Sequence, residues 1–287
     1  MKTRIARSLV TFVISGAALA QETVRIAISM PPGTAWTFVQ NEDWTMDSTV
    51  EADGKQQQTT QSVSRKITGS AEVLASDASG VPTSMRLTFD PASGARATQN
   101  GRSAPIPFPL AGQTVIVRMD NGKFSHDFRG KLDPDSEQEL RSLLDQDAGF
   151  LPANPVRVGD TWSTDPRKVA EKWQIDLKDS KVDIRMTLRE IKQIERRNVA
   201  VVDMNADMSG PIPGMPGVSG RRKLTGVALI DTQTGRLVGG DVNGTMTMSG
   251  IRRQQASNGA TTLMEINSRG TIATHTESKI KAAPGAS

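Results

Sequence analysis

No cysteine occurs anywhere in this 287-residue chain. Its absence excludes disulfides, thiolate metal sites, a cysteine nucleophile and the lipid-carrying cysteine of a bacterial lipoprotein. Tyrosine is also absent, and the aromatics amount to seven Phe and four Trp. There is no GxSxG elbow, no HExxH pair, no GxGxxG or Walker loop and no EF-hand loop. The two histidines, His126 and His275, lie far apart in sequence. Ser125, His126 and Asp127 are consecutive, and strand neighbours point to opposite faces, so they do not make a triad. No catalytic residue, no metal and no cofactor is expected.

A concentrated positive charge is lacking too. The doublets Arg196-Arg197, Arg221-Arg222 and Arg252-Arg253 are scattered and have acidic neighbours elsewhere. Nucleic-acid binding needs a basic face with aromatic or motif support, so no nucleic-acid partner is expected. Beyond the N-terminus no stretch reaches the roughly 20 apolar residues of a spanning helix, and no transmembrane anchor is expected.

The N-terminus, by contrast, is informative. Lys2, Arg4 and Arg7 form a basic region, Leu9 to Leu19 an apolar one, and Ala18-Leu19-Ala20 a small-x-small site. This three-part pattern predicts a signal peptide over residues 1–20, cleaved after Ala20. Without its three basic residues the net charge falls from +4 to +1. The expected location is the periplasm or the exterior. A chain of about 265 residues buries enough apolar surface to fold without disulfides.

From Trp44 onward the pattern is strand, turn, strand. Trp44, Met46, Ser48 and Val50 alternate with polar residues, and Asp53-Gly54 is a hairpin turn. Val63, Ile67 and Gly69 mark the return strand. Ala71–Ala75 and Met85–Phe89 flank a polar loop, and Thr114–Met119 ends at Asp120-Asn121-Gly122-Lys123. Two helix starts interrupt the strands. Asp133-Pro134 precedes Leu140, Leu143 and Leu144 on one helical face, which predicts a helix over about 134–147. Asp165-Pro166 precedes Val169 and Trp173 and predicts two turns at most. Strands then resume over Trp173–Leu177, Val182–Ile194, Val199–Met208, Leu224–Ile230, Leu237–Val242, Thr245–Ile251, Thr262–Ile266 and Gly270–Thr276. Ser209 to Gly220 is too dense in Pro and Gly for regular structure.

These elements predict a mainly β fold: a strongly curved antiparallel sheet or half-barrel with one or two short helices, or else a β-sandwich. One domain is expected over 21–278, divisible into halves 21–133 and 174–278 joined by 134–173, with a disordered tail at 279–287. A diverged duplication is one account of the halves, although their sequences do not align.

The most distinctive segment is Leu151-Pro152-x-x-Pro155-Val156-x-Val158-Gly159-Asp160-x-Trp162. With Pro109–Thr114 upstream and the hairpin around DTQTGRL downstream, the chain resembles an uncharacterised family of exported bacterial β-rich proteins. That resemblance implies the same succession of signal peptide, strands, Leu-bearing helix and strands, and no established activity. The architecture also resembles the curved half-barrels of periplasmic lipoprotein and lipid carriers. Within the motif, Pro152 and Pro155 fix an extended entry, Gly159-Asp160 makes a turn, and Val156, Val158 and Trp162 anchor it to the core.

Twelve methionines are present. Met246 and Met248 share one strand face, and Met204 and Met208 another. Thioethers can hold Cu(I), but core packing is the preferred account. Ile212, Met215 and Val218 give the 209–220 loop apolar contacts for a ligand or partner. The function expected first is a non-catalytic envelope protein that binds an amphiphile or an envelope protein in a sheet concavity. The second is an interaction module with a filled core, and the third an enzyme with an unfamiliar site.

Overall fold

The computed structural model describes residues 23–144, 149–173, 177–212, 215–255 and 261–280. The signal-peptide segment, the expected helix end at 145–147 and residues 281–287 of the tail lie outside them.

Two long hairpins dominate. β1 (Ala35–Ala52) and β2 (Lys55–Ser76) join at Asp53-Gly54, whose φ angles of 51° and 70° give the left-handed pair that a two-residue turn needs. β12 (Leu237–Gln255) and β13 (Thr261–Ile280) form the other. Between them in sequence run β3 (Pro82–Phe89), β4 (Gly94–Gln99), β5 (Arg102–Pro107), β6 (Thr114–Asp120), β7 (Lys123–His126), α1 (Pro134–Leu144), β8 (Thr161–Ser163), α2 (Pro166–Trp173), β9 (Lys181–Ile194), β10 (Arg197–Pro211) and β11 (Val218–Asp231). Among the described residues these strands make one sheet in the order β7-β6-β3-β2-β1-β13-β12-β11-β10-β9-β8, with β4 and β5 branching from β2. The pairings are antiparallel, and the sheet is open and curved, not closed into a barrel. The fold is therefore the curved antiparallel sheet and not the sandwich.

Helices cover one face. Asp133 caps α1 by accepting from the Ser136 amide at 2.8 Å and the Ser136 hydroxyl at 2.9 Å. Buried Leu140 and Leu144 then pack with Trp36, Phe38, Ile67, Leu87, Phe89 and Val117. Asp165 accepts from the Arg167 amide at 2.9 Å, and α2 sets Val169 against Ile184, Met186 and Leu188. These are two separate apolar clusters on the same inner face. Residues 23–34 strap them together, with Ile26 in the second cluster and Ile28 and Met30 in the first. Leu151 packs against both. The strap is pinned by Val24 pairing with Val156, and by the Ser29 amide donating to the Thr234 carbonyl at 3.0 Å.

Several expected strands are longer or elsewhere. Val63–Gly69 and Ala71–Ala75 are parts of β2, Leu237–Val242 and Thr245–Ile251 parts of β12, and Thr262–Ile266 and Gly270–Thr276 parts of β13. The glycines between them are bends, not breaks. β4 and β5 were not expected, and Trp173 ends α2 instead of opening a strand. The 209–220 expectation is corrected as well: β10 continues through Pro211, and β11 begins at Val218. Proline is tolerated there because β9 starts at Lys181, opposite Ser209, so Pro211 has no neighbour on that side. β13 runs to Ile280, two residues into the expected tail.

Strands of 18 to 22 residues are far beyond the usual length and must coil. Glycines on the inner face permit it. A Cβ on Gly270 would overlap the Thr45 carbonyl oxygen, one on Gly244 that of Lys223, and one on Gly226 that of Asp241. Gly239 lies on the outer face, and a Cβ there would first meet the flexible end of Leu229 at 3.3 Å. Gly270→Ala should therefore cost about 1–3 kcal/mol through forced backbone displacement, and Gly239→Ala clearly less, because buried Gly239 first meets a side chain that can give. Urea unfolding of the two variants checks this, and equal midpoints would refute the role given to the inner glycines.

Candidate functional site

Register and alternation together define what the inner face presents. Starting from the second cluster, one row across the strands reads Leu224, Gly244, Ile272, Trp44, Val63 and Ala97. The next reads Met208, Arg222, Met246, Gly270, Met46 and Gln61. Beyond it come Gly220, Met248, Ser268 and Ser48, then Val218, Gly250, Ile266 and Val50. Met246 is 8% exposed and Ile266 5%, whereas the outer-face Ile251 and Leu263 of the same strands are each 56% exposed. On β12 and β13 the inner direction is thus more sheltered than the outer one, even though Trp44, Met46, Val50, Met248 and Ile266 belong to neither packed cluster.

The hairpin at 212–218 closes one end of this face. The Met215 amide donates to Ile212 and the Val218 amide to Met215, each at 3.0 Å, and the Ile212 amide returns to the Val218 carbonyl at 3.0 Å. Val218 is buried, Ile212 and Met215 are half-buried, and the Ile212 Cδ1 sits where a side chain on Gly220 would be. The three residues expected as apolar contacts are joined by backbone hydrogen bonds, and Ile212 and Val218 lie on the inner side of the sheet. Residues 213–214 lie outside the described residues.

Charge is divided between the two faces. On the outer face, carboxylates and cations pair across strands. Arg221 grips Asp207 through Nε at 2.9 Å and Nη2 at 2.5 Å, and Arg189 grips Asp203 from both Nε and Nη2. The hydrogen bond and charge of Arg221 hold the Asp207 carboxyl below its ordinary range, so this pair stabilises at neutral pH and its contribution fades as the pH falls through that lowered value. On the inner face the strands carry Lys55, Arg65, Arg102, Arg222 and Arg252 against a single carboxylate, Glu42. Arg65 is neutralised, by Glu42 at 3.7 Å and by Glu139 of α1 at 2.6 Å. Arg222 and Arg252 have no ion-pair partner among the described residues.

The residues of the sequence motif make local contacts. Gly159 has φ +92°, and Asp160 closes the turn by accepting from the Arg157 amide at 2.7 Å. Trp162 Nε1 donates to the Phe150 carbonyl at 2.8 Å, Val156 pairs with the strap, and Pro152 is buried while Pro155 is exposed. Asp127 accepts from the Ile116 amide at 2.7 Å, and the His126 ring faces Phe124 at 6.2 Å. No three His, Asp or Glu side chains gather into a metal-binding group among the described residues. Met204, Met208, Met246 and Met248 all lie on the inner face.

No family model matches the chain, and no curated protein matches it in sequence. Among solved structures, it is similar to that titled lipid-protein interactions in lipovitellin, at 11% identity and TM-score 0.47, over 90% of this chain. The chain spans 26% of that protein's length. It is also similar to a DUF1329 family protein from Desulfovibrio piger, at 11% identity and TM-score 0.14, over 87% of each chain. A third likeness is to an outer membrane channel from Pseudomonas putida, at 9% identity and TM-score 0.21, over 88% of this chain and 97% of that one. No described helix is long and apolar enough to cross a membrane.

The contacts of Val156 with Val24 and of Trp162 with Phe150 predict an effect of this motif on stability. Trp162→Phe and Asp160→Ala should each lower stability by about 1 kcal/mol, read as a fall in thermal midpoint, with any ligand uptake of the folded protein retained. Unchanged midpoints with uptake lost would contradict that assignment.

Proposed function

We propose that this chain is an exported, non-catalytic envelope protein that holds an amphiphile along the inner face of its sheet, with the 212–218 hairpin as the closing contact. The observation that carries this reading is the continuation of the apolar inner rows beyond both packed clusters. Trp44, Met46, Met246, Met248 and Ile266 extend the apolar character of the core onto strands that neither helix-packed cluster includes. A face of this kind matches an acyl chain: it is elongated, sheltered at its floor and rich in thioethers that repack around differing shapes. The proposal rests on this face and not on the likenesses to solved structures. Export follows from the N-terminal pattern, and the absence of cysteine is compatible with an envelope location.

A second reading is an interaction module. Ile251 and Leu263 are diagonal neighbours across β12 and β13 on the outer face, each 56% exposed. They form a small apolar spot that a protein partner would cover.

Native mass spectrometry of the gently purified protein, with lipid extraction of the same sample, separates the two. A stoichiometric co-purifying amphiphile is the expected result. A bare polypeptide mass, with no uptake from an added lipid panel, would sink the carrier reading and leave the interaction module.

A further inference from the structure

The inner face is not uniformly apolar, and the cations it carries, Arg222 among them, identify the kind of amphiphile that fits. Arg222 stands in the first half of β11, directly between Met208 on β10 and Met246 on β12. Both methionines are buried, at 5% and 8% exposure, while Arg222 itself is exposed. Its immediate neighbour Arg221 points the opposite way and is held bidentately by Asp207. The sequence doublet Arg221-Arg222 therefore splits into one cation neutralised on the outer face and one unneutralised on the inner face.

Exposed Arg222 keeps its guanidinium in solvent beside two buried methionines, so a cation free to meet an anion stands at the edge of an apolar row. The surrounding distribution points the same way. Eight of the outer-face carboxylates, Asp43, Asp47, Glu51, Asp183, Asp203, Asp207, Asp241 and Glu265, alternate away from this face, and the sole inner strand carboxylate, Glu42, is engaged with Arg65. Farther along, Arg252 and Lys55 lie in one row with Met264 and Ala52 at the mouth of the face. A ligand entering there passes two cations, then apolar rows, then Arg222, and meets no free carboxylate on these strands.

We infer that the occupant is an anionic phospholipid, its acyl chains on the methionine-bearing rows and its phosphate paired with the Arg222 guanidinium. This rests on the amphiphile reading above and deepens it. Guanidinium matches a phosphate diester through parallel N–H donors and is less strongly hydrated than an ammonium, so it suits a partly apolar setting better than lysine. Charge complementarity selects the anionic lipid over a zwitterionic one, whose own cation would meet the same positive face.

The experiment compares uptake of phosphatidylglycerol and phosphatidylcholine with matched acyl chains, presented to the purified protein in mixed micelles and read by native mass spectrometry. The variants are Arg222→Gln, Arg222→Lys and, for the outer face, Arg221→Gln. The unmodified protein should favour phosphatidylglycerol about tenfold, because the choline ammonium of phosphatidylcholine offsets the attraction of its phosphate to the cations of this face. Arg222→Gln should bring the two lipids within about twofold of each other, Arg222→Lys should retain part of the preference, and Arg221→Gln should retain all of it. Arg222 is exposed and outside both packed clusters, and an unchanged circular dichroism spectrum for each variant verifies folding. Equal uptake of both lipids by the unmodified protein, or an unaltered preference in Arg222→Gln, would overturn the head-group assignment while leaving amphiphile binding intact. Uptake of neither lipid by the unmodified protein would overturn both.

Discussion

The constraint on which this molecule depends is the space denied to side chains on the inner face. At Gly226, Gly244 and Gly270 the neighbouring strand's carbonyl oxygen occupies the volume that a Cβ would need. Each of these residues alternates inward, and each sits in the interior of a strand where glycine otherwise costs conformational entropy. That cost is offset by curvature. Strands of this length cannot stay flat, and bringing them close on one side lets a single sheet wrap around its own inner face. The two apolar clusters, the helices that complete them and the long rows between them all follow from that curl.

Curvature also demands a fastening, and the polar groups buried at the covered end supply it. Asp231 is fully buried at the turn after β11, where it accepts from the Gln233 and Thr234 amides at 3.0 and 2.9 Å and from Arg197 at 3.1 Å. Five residues later, buried Arg236 stacks on Trp36 at 4.1 Å and donates to Ser278, whose hydroxyl donates to the Thr37 carbonyl at 2.7 Å. These contacts link the β11–β12 turn to β1 and β13. The strap crosses the same turn, and a Cβ on Gly235 would overlap the Ala27 carbonyl. One end of the sheet is thereby locked from inside, which leaves the long hairpins to project from it.

Strand alternation and helix caps were legible from the residues alone. Trp44, Met46, Ser48 and Val50 fall on one face as their spacing requires, and Asp133 and Asp165 cap the two helices. The loop assigned to Ser209–Gly220 misled because Pro211 and the flanking glycines read as breakers, and nothing local says that β10 has outrun its neighbour there. The same local ambiguity split β12 and β13 at Gly244 and between Ile266 and Gly270, since a glycine that bends a strand and one that ends it look alike in sequence. Ile212, Met215 and Val218 were identifiable as an apolar group, but not the inner-side placement of Ile212 and Val218. Arg222 was seen only as half of a basic doublet. Its role depends on the cross-strand register with Met208 and Met246, which no window of sequence contains.

The contrast between the covered and projecting parts of the inner face bears on what the latter is for. Where the sheet needs a permanent partner it has one, with Leu140, Leu144 and Val169 delivered by capped helices onto close-packed aliphatic and aromatic side chains. The projecting part has a different composition: methionine, glycine, serine and an arginine without a carboxylate. Its buried hydroxyl is settled locally, with Ser268 donating to Ser48 at 2.9 Å. Such a surface is poorly specified for a rigid core, because methionine has many rotamers and glycine offers no contact. Those same properties would suit an occupant that varies in shape and must leave again, which is the physical argument behind the proposed binding role of this face.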